Sequence, residues 1–386
     1  MGPLEGLRII ELAGLGPAPF GCMMLADMGA DVIRVERPGP GLQPQLDPLA
    51  RNRKSLACDL KNPAAIDVVK KLVATADGLV EGFRPGVTER FGLGPEDLLA
   101  VNPRLVYGRM TGWGQDGPLA QAAGHDLNYV ALTGILNLIG EQGRKPIPPL
   151  NLVADFGGGG MLLAFGMVCG ILSARATGKG QVIDAAMVDG VNALASMFHG
   201  FKAMGMLDEG PGESFLGGAA HWYDTYETKD GRYVSIGAIE PQFYELMIDK
   251  LELDRAVFER HVFRLPLDEN ARAGWAELKP LVAAAVRKKT LHEWRDLLEG
   301  TDVCFAPVLT LDEAVEHPHN VERGAFVRVD GNVQAAPAPR FSATPSAAPR
   351  SGVAPGSNSR EVLESIGYSS DEVDALIRSG AVQTAG

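Results

Sequence analysis

The sequence predicts an α/β fold whose first half is an open, doubly wound parallel sheet, with a second domain after it. Three observations predict this. Residues 7–111 alternate short apolar, β-branched runs with helical segments through short connections. Near residue 211 the pattern changes to turns and paired strands. The chain has 386 residues, more than one compact core accommodates.

LRIIEL (7–12) reads as a buried parallel strand, PAPFGCMMLADMGA as a helix, and DVIRVERP (31–38) as a second strand. Together they open a right-handed βαβ unit. A Gly-, Pro- and Gln-rich loop spans 38 to about 50. SLACDL is strand-like, and PAAIDVVKKLVATA is helical with Pro63 at its start. DGLVEGF is a strand, GPEDLLAVN a helix and RLVYGRMTGW a strand. Helices are expected over 125–139 and 157–176, and GQVIDAAMVDGVNALASMF starts as a strand and becomes a long helix. HWYDTYETKDGRYVSIGA predicts a hairpin turning at Lys229-Asp230-Gly231. Residues 241–300 read as helical, CFAPVLTLDEAV as strand then helix, and the Ala-, Pro- and Ser-rich stretch 328–360 as an extended linker. Two short helices close the chain, the first with Ser359 as its N-cap. The expected domains are 1–200, a linker over 201–225, a small domain over 226–325, and a linker and tail over 326–386 returning to the large domain.

The net charge of −12 argues against nucleic acid as a partner. Arg34, Arg37, Arg51, Arg53, Lys54 and Lys61 nevertheless cluster, which suits either a local anionic ligand or a solvated charged face. No run of eighteen apolar residues occurs, so no membrane span is expected. Neither end carries a recognisable targeting signal, so a cytoplasmic location is expected. Four scattered cysteines without C-x-x-C, and histidines without H-E-x-x-H, predict no metal site and no disulfide framework.

GLGPAP after the first strand invites a dinucleotide reading, with Glu36 placed for a ribose. That reading fails on chemistry: Pro19 takes the position of the third small residue, and Pro17 removes a backbone donor. His125 in QAAGHDLNYVALTGIL is either a helix-start histidine or a proton-transfer group at the mouth of a site. Asp155 precedes four glycines, whose cost in a helix is offset either by close approach of a ligand or by tight helix packing.

Several long motifs carry a resemblance. LRIIELAGLGPAPFGCMMLADMGADVIRVERPG, GWGQDGP, AGHDLNY, PPLNLVADFGGGGM and GKGQVIDAAMVDG together resemble the α-methylacyl-CoA racemases of the class III CoA-transferase (CaiB/BaiF) superfamily. YDTYETKDGRYVSIGAIEPQFY continues it, and the similarity covers essentially the whole chain, most weakly after about residue 330. It implies a large Rossmann-like domain, a smaller α+β domain, and two chains interlocked as a homodimer, with the active site where one subunit's large domain meets the other's small domain. It also implies a place in lipid metabolism. His125 and Asp155 would be the acid/base pair, and Glu240 would orient His125. Arg37 and Ala57, Cys58, Asp59 and Leu60 would contact the CoA portion, with Arg84 a second phosphate candidate. Gly124, Asp126, Leu127, Asn128 and Tyr129 would line the thioester.

The chemistry can be stated without the resemblance. Inverting the α-carbon of a thioester needs one proton-transfer group on each face, and donors for the enolate oxygen. Histidine ordinarily titrates near pH 7, whereas a carboxyl group must be raised by burial. The peptide N–H of Asp126 is the preferred enolate donor, while its carboxylate caps or pairs. This scheme uses no metal or separate cofactor, because coenzyme A belongs to the substrate. Met187, Met197, Met204 and Met206 suit either core filling or a pliable surface for varied acyl chains. The alternatives are a class III CoA-transferase with Asp155 as nucleophile, and a catalytically idle acyl-CoA-binding protein.

Overall fold

A computed structural model describes residues 2–39, 43–261, 263 and 269–385. Residues 40–42 of the predicted 38–50 loop, and 262 and 264–268 of the predicted helical region, lie outside the described residues. The chain forms two compact units. One comprises Met1–Thr133, Leu150–Leu194 and Pro318–Gly386; the other comprises Gly134–Pro149 and Ala195–His317.

In the first unit, β1 (Arg8–Leu12), β2 (Asp31–Glu36), β3 (Lys54–Cys58), β4 (Gly78–Glu81), β5 (Val106–Thr111) and β6 (Gln181–Ala186) pair in parallel in the order β3-β2-β1-β4-β5-β6. The order reverses beside β1, so the turn after β1 lies at the switch point where ligands of such sheets bind. Helices α1 (Pro17–Asp27), α2 (Pro63–Val73) and α3 (Pro95–Val101) start on prolines, whose missing N–H costs nothing in a first turn. The core packs Ile10, Ile33, Leu56, Leu72 and Leu79, all at most 1% exposed.

Two predicted long helices are broken. Helix α4 (Asp126–Leu132) ends before Gly134, whose φ of 80° opens a separate 3₁₀ turn. A π-helical segment, Leu152–Met161, runs into α5 (Leu162–Thr177), and α6 (Met187–Leu194) stops at Ala195. Both breaks fall at or next to places where the chain passes between units. By length and composition, Leu152–Thr177 is also sufficient to cross a membrane. Asp155 and the glycines interrupt its apolar run, which is why a criterion of eighteen consecutive apolar residues does not find it. Its inner face packs on β5 and β6, while Phe165 and Leu172 stand 67% and 69% exposed.

In the second unit, the 3₁₀ turn Ile135–Leu138 comes first in the chain and α7 (Ser196–Ala203) follows. Strands β7 (Tyr223–Glu227) and β8 (Tyr233–Gly237) form the predicted antiparallel hairpin, and β9 (Phe305–Pro307) joins it. Helices α8 (Pro241–Lys250), α9 (Glu269–Val286) and α10 (Leu291–Leu298) follow in the same unit. The expected linker over 201–225 is part of this unit's core: Phe215 is 5% exposed and Trp222 fully buried. Glycine-rich text there reads as a loop locally, yet its aromatic residues supply anchors.

The expected linker over 328–360 overlaps a hairpin, β10 (Phe326–Val329) with β11 (Asn332–Ala335). Helix α11 (Ser359–Ser365) takes Asn358, not Ser359, at its N-cap. The Ser359 hydroxyl is fully buried instead, accepting from Ala57 N and donating to Gln383 O. After α12 (Ser370–Arg378), β12 (Val382–Gln383) adds antiparallel to β3 as the sheet's seventh strand.

Candidate active site

A cleft of about 660 Å³ opens in the first unit at the carboxyl ends of β1, β4 and β5. Gly16 and Pro17 line it from the start of α1, Phe83 and Arg84 from the loop after β4, His125 from the start of α4 and Asp155 from the π-helical segment. The two groups singled out as an acid/base pair therefore share one compartment.

His125 sits at the N-cap of α4 in extended conformation, exposed to the cleft. Both ends of the peptide joining it to Gly124 are held. The Tyr129 hydroxyl donates to the Gly124 carbonyl, and the His125 N–H donates to Asn128 Oδ1 at 3.0 Å. Tyr129 fits because Gly112 and Gly124 lack side chains: a Cβ would fall 2.0 and 2.7 Å from its ring, respectively. The Trp113 ring closes the stack edge-on at 4.7 Å. Burial, and secondarily the Asp155 charge, push the Tyr129 hydroxyl up, so it stays a donor. As the first helical residue, Asp126 has a peptide N–H without an intrahelical acceptor.

Asp155 projects from the π-helical segment. Burial pushes its carboxyl above the usual range; a hydrogen bond from Asn151 Nδ2 at 3.1 Å and the nearby His125 oppose that, while Asp126 adds to it. Gly16, at φ 71°, lies against this carboxyl, since a Cβ there would be 3.4 Å from Oδ2. The sequence reading did not pick out Asn151, although its four-residue spacing from Asp155 on a helix is a usable signal. Nor did it pick out Gly16 or Trp113, whose roles arise from tertiary packing.

Of the two readings of the glycine run after Asp155, the packing of Gly158, Gly159 and Gly160 supports tight helix contact. A Cβ on Gly158 would lie 2.8 Å from Val191 N, one on Gly159 3.1 Å from Pro17 Cβ, and one on Gly160 2.6 Å from Pro17 O. Helices α1 and α6 thus meet this segment at backbone distance. The tightest contact is reciprocal: a Cβ on Gly190 would lie 1.8 Å from Gly158 O. Gly190→Ala is expected to destabilise the fold by about 1–3 kcal/mol and to lower turnover by displacing Asp155. A variant with wild-type melting and turnover refutes that account.

The CoA-side residues divide. Arg84 lines the cleft and Arg37 is exposed, whereas Asp59 and Leu60 are half-buried. Ala57 and Cys58, on β3 beside β12, are 0% and 1% exposed, so they present no side-chain surface to a ligand. The basic cluster is mostly taken up by ion pairs: Arg51 pairs with Asp27, Arg53 with Glu11, Arg34 with Glu36, and Lys54 with Asp31 and Glu361. Arg37 and Lys61 make no ion pair with a described residue. Glu240 belongs to the second unit, at the N-cap of α8. Of the four methionines, Met187 and Met206 are buried, and Met197 and Met204 are 50% and 63% exposed. Among the described residues no cluster suits a metal ion, and the four cysteines are free.

Residues 4–359 match the description CoA-transferase family III. The chain belongs to that family. It is 44% identical to α-methylacyl-CoA racemase of Mus musculus over 96% of this chain and 95% of that one. It is 42% identical to the Homo sapiens α-methylacyl-CoA racemase over 98% and 99%. A solved CaiB/BaiF family protein from Brucella suis superposes with a TM-score of 0.79 at 25% identity, covering 95% of this chain and 99% of that one. The family match thus runs from before β1 to the first residue of α11.

Proposed function

We propose that this family III protein is a racemase that interconverts (2R)- and (2S)-2-methylacyl-CoA thioesters by two-base 1,1-proton transfer. The observation that carries this reading is that His125 and Asp155 line one cleft. The similarity to two α-methylacyl-CoA racemases over nearly full length supports the same substrate class. In the reaction, one group removes the α-proton while the other delivers a proton to the opposite face. The enolate oxygen accepts from the Asp126 N–H. Arg37 and Arg84 hold phosphates of the CoA portion. No metal or separate cofactor enters this scheme.

A CoA-transferase would use Asp155 as nucleophile and need no second proton-transfer group. A histidine held on both sides of its peptide favours the racemase. We also propose a cytoplasmic homodimer in which Glu240 orients His125; the exposed apolar face of α5 around Phe165 and Leu172 supports burial by a second copy.

The test is incubation with one epimer of a 2-methylacyl-CoA in deuterated water. Deuterium uptake at the α-carbon with loss of stereochemical purity is expected. No exchange, with CoA passing instead to an added carboxylate, overturns the racemase reading; neither reaction points to a binding protein.

A further inference from the structure

We propose that the Asp126 carboxylate is a positioning residue that splints the backbone of Asp155 to the turn carrying His125, a role that rests on the two-base reading above. Its Oδ2 accepts from Ala154 N and from Asp155 N, each at 2.7 Å. Those N–H groups lie in the first turn of the π-helical segment, where no intrahelical acceptor exists, so Asp126 caps that helix from another part of the chain. Because Asp126 directly follows His125, one side chain ties the peptides of both proton-transfer groups together. At 4% exposure it has little freedom to move.

The charge has a second consequence. Asp126 Oδ1 is buried and has no described partner, so the cap leaves half the carboxylate unused. An asparagine oxygen would accept the same two N–H groups. What asparagine lacks is the negative charge, which adds to the upward push that burial gives the Asp155 carboxyl. The other groups facing Asp155 are His125 and Tyr129 from α4 and Asn151 from its own segment. From α1, uncharged Gly16 lies against the carboxyl, and from α6, Met187 packs on Gly159. Asp126 is thus the anionic neighbour, and its removal leaves only opposing influences beside burial.

Two substitutions separate geometry from charge. Asp126→Asn keeps the acceptor, and Asp126→Ala removes both acceptor and charge. Exchange kinetics are followed against pH in both directions for wild type and both variants. The Asp155 carboxyl is titrated by carbon NMR in the substrate-free protein, with Asp155→Asn for assignment. In Asp126→Asn, the acidic limb of kcat/KM and the NMR titration should both move to lower pH. In Asp126→Ala, kcat should fall about a hundredfold with KM little changed. If Asp126→Ala does not fold, Asp126→Asn decides alone. Wild type without exchange overturns the two-base reading and this role with it. Wild-type exchange with an unmoved limb and titration in Asp126→Asn, or with Asp126→Ala as fast as Asp126→Asn, overturns this role alone.

Discussion

Replacing His125 by alanine is expected to lower α-deuterium exchange by about a hundred- to ten-thousandfold, the usual contribution of one general acid–base group. Tyr129 cannot substitute, because its hydroxyl is already committed to the Gly124 carbonyl and is held in its protonated form. Asp155→Asn should lose a similar factor. The double variant should be little worse than either single one, since inversion fails once either face lacks its group. The pattern also separates the two chemistries of this fold. A transferase would survive the loss of His125 and die with Asp155. Turnover near wild type in His125→Ala removes the imidazole from the mechanism.

Replacing Arg51 by alanine is expected to cost about 3–5 kcal/mol of stability, seen as a lower urea midpoint. Arg51 and Asp27 are each 3% exposed. The guanidinium donates to both Asp27 oxygens, to Gln334 Oε1 at 3.2 Å and to Ala335 O at 2.8 Å, so it joins α1 to the β10–β11 hairpin. Without it, the Asp27 carboxylate is left buried with only Asn52 as side-chain donor. The neighbouring Glu11–Arg53 pair should behave differently. It is equally buried, but Glu11 Oε1, Arg53 Nε and Arg53 Nη2 have no described partner. Its joint replacement, Glu11→Leu with Arg53→Met, is expected to be neutral or to stabilise by about 1–4 kcal/mol. An unchanged midpoint in Arg51→Ala, or a loss of several kcal/mol in the double replacement, contradicts this contrast.

The alternating first half was legible because each β-run and helix there carries its own period and its own start signals, from LRIIEL to the proline-led helices. His125 and Asp155 were legible as residue types suited to proton transfer, set in long motifs. The basic cluster misled because sequence proximity does not reveal partners. Asp27 and Glu11, which neutralise two of its arginines, lie on earlier elements, and Glu361, beside Lys54, lies in the tail. The glycine run left two readings open for the same reason, since the surfaces it meets belong to α1 and α6.

By itself, then, the sequence determined which segments are strands and helices in the sheet-bearing half, and which side chains can exchange protons near neutral pH. Only the tertiary structure decided that those side chains share a cleft, that Asp126 caps the helix of Asp155, and that the tail closes the edge at β3. The reason is physical. Periodicity and capping act over a few residues, whereas backbone packing across glycines and the pairing of buried charges join groups far apart in the chain, at distances no local pattern encodes.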